Sequence, residues 1–486
     1  MAAEAQHSWF TGALAALSLL IFVGAPVCAA AEVEWAPYDY ALRSGENVQA
    51  EMGTLEVPAR RSRNTSATTT LHFVRLPATG DHPGSPIIYL AGGPGSSGID
   101  AGRGDRWRLF ESLRRQGDVI LLDQRGVGLS SPPPACSTPW SFPNDQASNE
   151  GSFNASLEAA VLLCAREWRA AGIDPQMYNT AENAADVADL ARALGGQVRL
   201  VGISYGTFLA FAVLRDHGEL VERVVLAGTE GPDHTLKLPL QADRAFDRLS
   251  AHVAANPGAA ALTPSLRQSF ETILARLERA PAWGEVQGRD GAVTRVLVSK
   301  YDVQLVTFFL SATSENAVRL PGLIAAAEHG DYSGMARMVL FLRRFFAPLP
   351  VMPLAMDAAS PVSPTRVRLA RSQTQRSIFE NAANVPSANV ASALGVAQLA
   401  PRWRSRLRTR VPAYFISGDL DSRTPPENAQ AVRRGFRSSA HLVLHGAGHD
   451  NDLFLSSPII LERINAFLGG ERLRDEEIDV DILRFE

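Results

Sequence analysis

Gly202-Ile203-Ser204-Tyr205-Gly206 decides the fold. The pentapeptide follows a short apolar run, Val198 to Val201, and opens a helix-like run from Tyr205 to His217. This is the strand, tight turn and helix context of a nucleophile elbow, with Ser204 at its apex. Glycine two residues to either side relieves the crowding that side chains would impose on so sharp a turn. The helix that begins at Tyr205 aims its unpaired N–H groups at any oxyanion formed on a substrate. Ser204 is therefore the candidate nucleophile, and the backbone N–H of Tyr205 one candidate oxyanion donor.

Around the elbow, short strands alternate with helices, which predicts a mostly parallel sheet in an α/β fold. The predicted strands are 55–58, 68–76, 87–90, 118–122, 199–203, 221–227, 411–417 and 441–445. Residues 233–401 read differently. Helical runs dominate there (242–254, 265–279, 332–346), with a proline-rich interruption at 347–364. An insertion at this point of the chain is expected to form a helical lid over the carboxyl edge of the sheet, where such sheets bind ligands. The expected organisation is an export signal over 1–31, the first part of the core over 32–232, the lid over 233–401, and the rest of the core over 402–486.

A serine hydroxyl needs a base, and the base needs an acid to orient it. On this fold the expected chain order is serine, acid, histidine. After the lid, Phe415-Ile416-Ser417-Gly418-Asp419-Leu420-Asp421 ends a strand in a turn with two aspartates. Asp421 lies further into the loop and is taken as the acid, with Asp419 as the fallback. The next strand ends in His445-Gly446-Ala447-Gly448-His449, and His449, in a glycine-flanked loop, is taken as the base. His445, at the strand's end, is read as packed. The second oxyanion donor is assigned to the N–H of Gly93, in the loop Ala91-Gly92-Gly93-Pro94-Gly95. An aspartate at position 204 would be needed for haloalkane dehalogenation, so that chemistry is set aside.

Composition bounds the remainder. The chain has 486 residues, 46% hydrophobic, with a formal charge of −4. This is enough for a large core, and the charge balance points to no nucleic-acid or acidic-lipid partner. No zinc spacing or P-loop occurs, so neither a metal nor a cofactor is expected. Gly12 to Val27 is a short apolar run ending in Cys28-Ala29-Ala30-Ala31, which suits signal-peptidase cleavage, although no Lys or Arg precedes it. Export without a lasting membrane anchor leaves Cys136 and Cys164, an even pair that predicts one disulfide across a proline-rich loop.

Two further motifs, Gly92-Gly93-Pro94-Gly95 and Asp123-Gln124-Arg125-Gly126-Val127-Gly128-Leu129-Ser130, resemble those of the proline iminopeptidase and tripeptidyl aminopeptidase family. Similarity is greatest to its secreted tripeptidyl aminopeptidase branch. The resemblance implies an α/β-hydrolase fold with an inserted helical lid, and removal of residues or short peptides from free N-termini through an acyl-enzyme. Ala91 stands where many iminopeptidases carry histidine. A carboxylate is then expected to bind the substrate ammonium. Glu230, followed by Asp233, is placed there because both follow a strand end at the lid entrance. Asp123 and Arg125 are read as bracing their loop. An ester hydrolase with the same triad is the alternative, and a non-catalytic binding protein on the same scaffold a third reading.

Overall fold

The computed structural model describes residues 32–63 and 66–485. The expected signal segment lies outside them. The main sheet has ten strands. In chain order these are β1 (Glu34–Ala41), β2 (Asn47–Pro58), β3 (Thr68–Leu76), β4 (Ile87–Leu90), β5 (Val119–Asp123), β6 (Val198–Ile203) and β7 (Val221–Ala227). A separate hairpin, β8 (Ala282–Gln287) and β9 (Val293–Val298), follows, and then β10 (Ala413–Gly418), β11 (Ser439–His445) and β12 (Glu476–Asp479) return to the main sheet. The sheet order is β1-β2-β3-β5-β4-β6-β7-β10-β11-β12. β1, β2 and β3 run antiparallel to their neighbours, and every pairing from β5 to β12 is parallel.

Position in the sheet dictates composition. β4, β5, β6 and β10 are buried along their whole length, as strands covered on both faces must be. Their alternate side chains feed two apolar cores. One contains Ile88, Leu90, Leu200 and Phe208; the other contains Tyr89, Val201, Val225 and Phe454. Polar β12 closes one edge through its pairing with β11. Among the described residues no single helix is long and apolar enough to cross a membrane.

Residues 233–401 are mainly helical, with two departures from the sequence reading. The β8–β9 hairpin sits among the helices, and the proline-rich interruption contains a helix, Val351–Ala359. Pro353 lies in the first turn of that helix, where its missing N–H breaks no intrahelical bond.

Cys136 and Cys164 are bridged, with Cα atoms 5.3 Å apart and 28 residues of separation. Closing a loop of that length stabilises by about 3.6 kcal/mol on a chain-entropy argument. The stapled loop also holds the insertion. Trp140 N–H donates to Ala347 O (2.9 Å), Leu297 N–H donates to Asn144 O (2.7 Å), and Arg343 donates to Pro143 O (3.2 Å).

Candidate active site

Ser204 follows β6 with φ 53° and ψ −124°, a conformation non-glycine residues rarely adopt. Its amide is pinned to Ala227 O at 3.0 Å, and Thr207 Oγ1 donates to its carbonyl at 2.6 Å. The flanking glycines are sterically required. A Cβ on Gly206 would lie 1.9 Å from Leu90 O, and one on Gly202 would lie 2.8 Å from Gly206 O. The helix Tyr205–His217 starts immediately, so the Tyr205 N–H has no intrahelical acceptor. Gly93 lies in the adjacent loop at φ 110°, and a Cβ on Gly92 would touch Ser204 Cβ at 3.1 Å. The glycine loop thus runs directly alongside Ser204.

Asp421 and His449 meet across the carboxyl ends of β10 and β11. His449 Nδ1 donates to Asp421 Oδ2 at 2.7 Å. Asp421 is fully buried, and its other oxygen accepts the amides of Arg423 and Thr424, each at 2.8 Å. The Thr424 hydroxyl donates to Oδ2 at 2.6 Å. Burial alone would push the Asp421 carboxyl up. The charge of His449 and the hydrogen bonds from His449 and Thr424 outweigh burial and hold it below the usual value. Because the carboxylate only accepts, the proton sits on His449 Nδ1 and Nε2 is left as a base. The imidazole stands at the elbow. A Cβ on Gly228, one residue past the carbonyl that pins Ser204, would lie 3.0 Å from His449 Cε1.

The fallback pair is built differently. Asp419 accepts from Gly446 N–H (2.8 Å) and pairs with His445 Nδ1 (3.0 Å), while His445 Nε2 faces Glu477 (3.1 Å). These two carboxylates raise the half-exposed imidazole above its ordinary pKa. The pair fastens the end of β10 to β11, with His445 half-exposed and Asp419 largely covered.

The Asp123–Ser130 loop is fixed from within. Asp123 accepts from Ser97 Oγ (2.5 Å), Ile99 N–H (3.1 Å) and Leu129 N–H (2.9 Å). Arg125, fully buried, forms two 2.6 Å bonds to Asp186 and donates to Ala59 O and Met177 O. Gln124 Nε2 donates to Ala91 O at 3.1 Å, tying this loop to the glycine loop beside Ser204.

The lid entrance departs from expectation. Both oxygens of Asp233 are engaged by Ser363, through its amide and its hydroxyl at 2.6 Å each. Asp233 is therefore a bracket within the insertion rather than a free carboxylate. Glu230 is buried beside the elbow, its amide donating to Thr207 Oγ1 at 2.8 Å, and its carboxylate pairs with Lys237 at 2.9 Å.

Sequence reasoning missed Asp357. The helix Val351–Ala359 roofs the site. Pro353 abuts Gly95 of the glycine loop, and Met356 Sδ accepts from Tyr205 Oη at 3.1 Å. Asp357, one turn after Pro353, is exposed to solvent, with Glu230, Lys237 and Arg423 as its charged neighbours. Burial and then the charge of Glu230 push its carboxyl up to about 7, against the pull of Lys237 and Arg423. A lone aspartate in the apolar run Val351–Ala359 was the available signal.

The histidine loop also depends on the insertion. His449 N–H donates to Ala312 O at 2.6 Å. Asp452 accepts from Gly448 N–H (2.9 Å) and from the Ser314 amide (2.8 Å) and hydroxyl (2.7 Å). Burial raises the Asp452 carboxyl against those bonds.

This geometry agrees with the comparisons to known proteins. Residues 85–286 match a family model described as the alpha/beta hydrolase fold, and residues 381–477 match one described as a TAP-like protein. The chain belongs to the α/β-hydrolase superfamily. Serine protease Hip1 of Mycobacterium tuberculosis is 29% identical over 249 residues, which is 46% of each chain. The putative hydrolase YuaR of Escherichia coli is 26% identical over 280 residues, 52% of this chain and 54% of its own. Carboxylesterase B of M. tuberculosis is 29% identical over 120 residues, 24% of this chain and 23% of its own. These matches span about half the length of the first two relatives, and less of the third.

Proposed function

We propose that this protein is an exported serine peptidase that removes residues or short peptides from free N-termini. Ser204 attacks the scissile carbonyl, and His449 takes its proton through Nε2. Asp421 fixes the imidazole and stabilises its charged form. The N–H groups of Gly93 and Tyr205 receive the oxyanion. His449 then protonates the leaving amine and activates the water that releases the acyl group.

The observation that carries the N-terminal reading is Asp357. It has no ion-pair partner among the described residues, and it lies on the roof of the elbow with Glu230 nearby. A carboxylate raised to about 7, burial first and then the charge of Glu230, gains when a substrate ammonium arrives. The TAP-like match and the relative named as a serine protease support peptide chemistry. The disulfide supports export. The relative named as a carboxylesterase supports ester hydrolysis by the same residues as the second reading.

A substrate panel on the purified protein separates the two. Free-amine aminoacyl and tripeptidyl arylamides should be cleaved, and their N-acetylated forms should be poor substrates. Turnover of aryl esters without any free-amine arylamide would overturn the peptidase reading.

A further inference from the structure

The segment Arg402-Trp403-Arg404-Ser405-Arg406-Leu407-Arg408-Thr409-Arg410 places arginine at every second position. Burial alternates over its second half, so neighbouring side chains point to opposite sides. Leu407 is buried, and Arg406, Arg408 and Arg410 are exposed. A second segment, Arg433–Arg437, is bonded alongside. Thr409 N–H donates to Gly435 O (3.0 Å), and Arg437 N–H donates to Thr409 O (3.1 Å). Gly435 permits this approach, since a Cβ there would lie 2.1 Å from Leu407 O. Exposed Arg434 and Arg437 thereby join the other three around a groove of about 500 Å³ that no carboxylate lines.

The flanking arginines are neutralised and these five are not. Arg402 pairs with Asp216 (2.7 Å), and Arg433 pairs with Asp475 (2.7 Å). Among the described residues, none of the five has an ion-pair or side-chain hydrogen-bond partner. The charge of −4 for the whole chain averages over this concentration of positive charge. Guanidinium groups present paired N–H donors that match phosphate oxygens.

The placement is informative. Both arginine segments lie before the amino ends of the parallel strands β10 and β11, whereas Asp421 and His449 follow their carboxyl ends. A strand of six residues separates the two by about 20 Å. A body held by the groove therefore sits at the opposite end of the sheet from Asp421 and His449.

We propose that this groove docks the protein on an anionic phospholipid surface, with lipid phosphates as the groups bound. Five guanidiniums spread over two segments suit a two-dimensional array of headgroups. Phe436, the groove's aromatic residue, is buried and offers no ring for base stacking, which disfavours a single-stranded nucleic acid.

The test is vesicle co-sedimentation of the purified protein. Vesicles of equal phosphatidylglycerol and phosphatidylcholine are compared with phosphatidylcholine alone, at about 0.05 M and about 0.5 M NaCl. Binding is expected only to the mixed vesicles and to weaken at high salt. Each arginine near such a surface contributes roughly fivefold to partitioning, so Arg406→Gln/Arg408→Gln/Arg410→Gln should weaken binding roughly 100-fold. Hydrolysis of a soluble substrate, which reads out folding, should be unchanged. Equal sedimentation with both vesicle types would overturn the proposal, as would undiminished binding by a folded triple variant. So would displacement by millimolar inorganic phosphate at constant ionic strength, which would point to a free anion, or tighter binding of an oligonucleotide than of the vesicles. The groove stands apart from the peptidase reading, and either can fail without the other.

Discussion

Two Asp–His pairs bridge the same two strands, and their contrast shows what separates chemistry from construction. Asp421–His449 and Asp419–His445 both join the β10 loop to the end of β11, with similar bond lengths of 2.7 and 3.0 Å. Asp421 is fully buried, carries three further hydrogen bonds and engages His449 through Nδ1, leaving Nε2 without a carboxylate partner among the described residues. Asp419 spends its second oxygen on Gly446, and both nitrogens of His445 meet carboxylates. Residue type and spacing are nearly the same in the two pairs. The difference lies in burial and in whether an imidazole nitrogen remains free for a substrate proton.

The largest effects should fall on the inner pair and its nucleophile. Ser204→Ala should remove turnover, lowering kcat by roughly 10⁶ with the fold intact by circular dichroism. Asp421→Asn should lower kcat by roughly 10⁴, because the amide no longer fixes the tautomer with its proton on Nδ1. A loss smaller than tenfold would remove Asp421 from the mechanism.

Asp357→Asn sharpens the account of specificity. It should raise KM for free-amine arylamides by roughly 10- to 100-fold and leave N-acetylated substrates or esters unaffected. In the wild type, KM for free-amine substrates should fall as pH rises through about 7, because the carboxylate forms over that range. It should rise again as the substrate ammonium deprotonates near pH ~8. A KM that stayed constant from about pH 5 up to about 7 would count against Asp357.

The smallest effects belong to the outer pair. Asp419→Asn should change kcat/KM by no more than about threefold, and its stability cost should be about 1 kcal/mol because its partner His445 is half-exposed. The sign of the pH dependence is fixed. His445 is raised in the folded protein, so the pair stabilises below the ordinary histidine pKa and loses that contribution as pH rises through the folded value. Thermal melts should therefore separate the variant from the wild type at pH 5–6 and not at pH 8.

The elbow was legible because backbone geometry demands glycine at Gly202 and Gly206, leaving a mark in the chain itself. Asp421 and His449 were legible through order and strand-end position. Asp357 was not, because its surroundings are assembled from Glu230, Lys237 and Arg423, far away in sequence. Asp233 misled for the same reason, its partner Ser363 lying 130 residues on. The β8–β9 hairpin escaped notice because its strands are short and largely exposed, although Gly288-Arg289-Asp290-Gly291 offered a turn signal. Edge strands β1 and β12 lack the apolar run that marked the buried strands.

The most direct test of the contrast is the rate at which a fluorophosphonate probe labels Ser204, read by peptide mass spectrometry in the wild type, Asp419→Asn and Asp421→Asn. The account predicts labelling on Ser204 at a near wild-type rate with Asp419→Asn and a rate reduced by orders of magnitude with Asp421→Asn. Equal loss in both variants, or labelling at another serine, would contradict it.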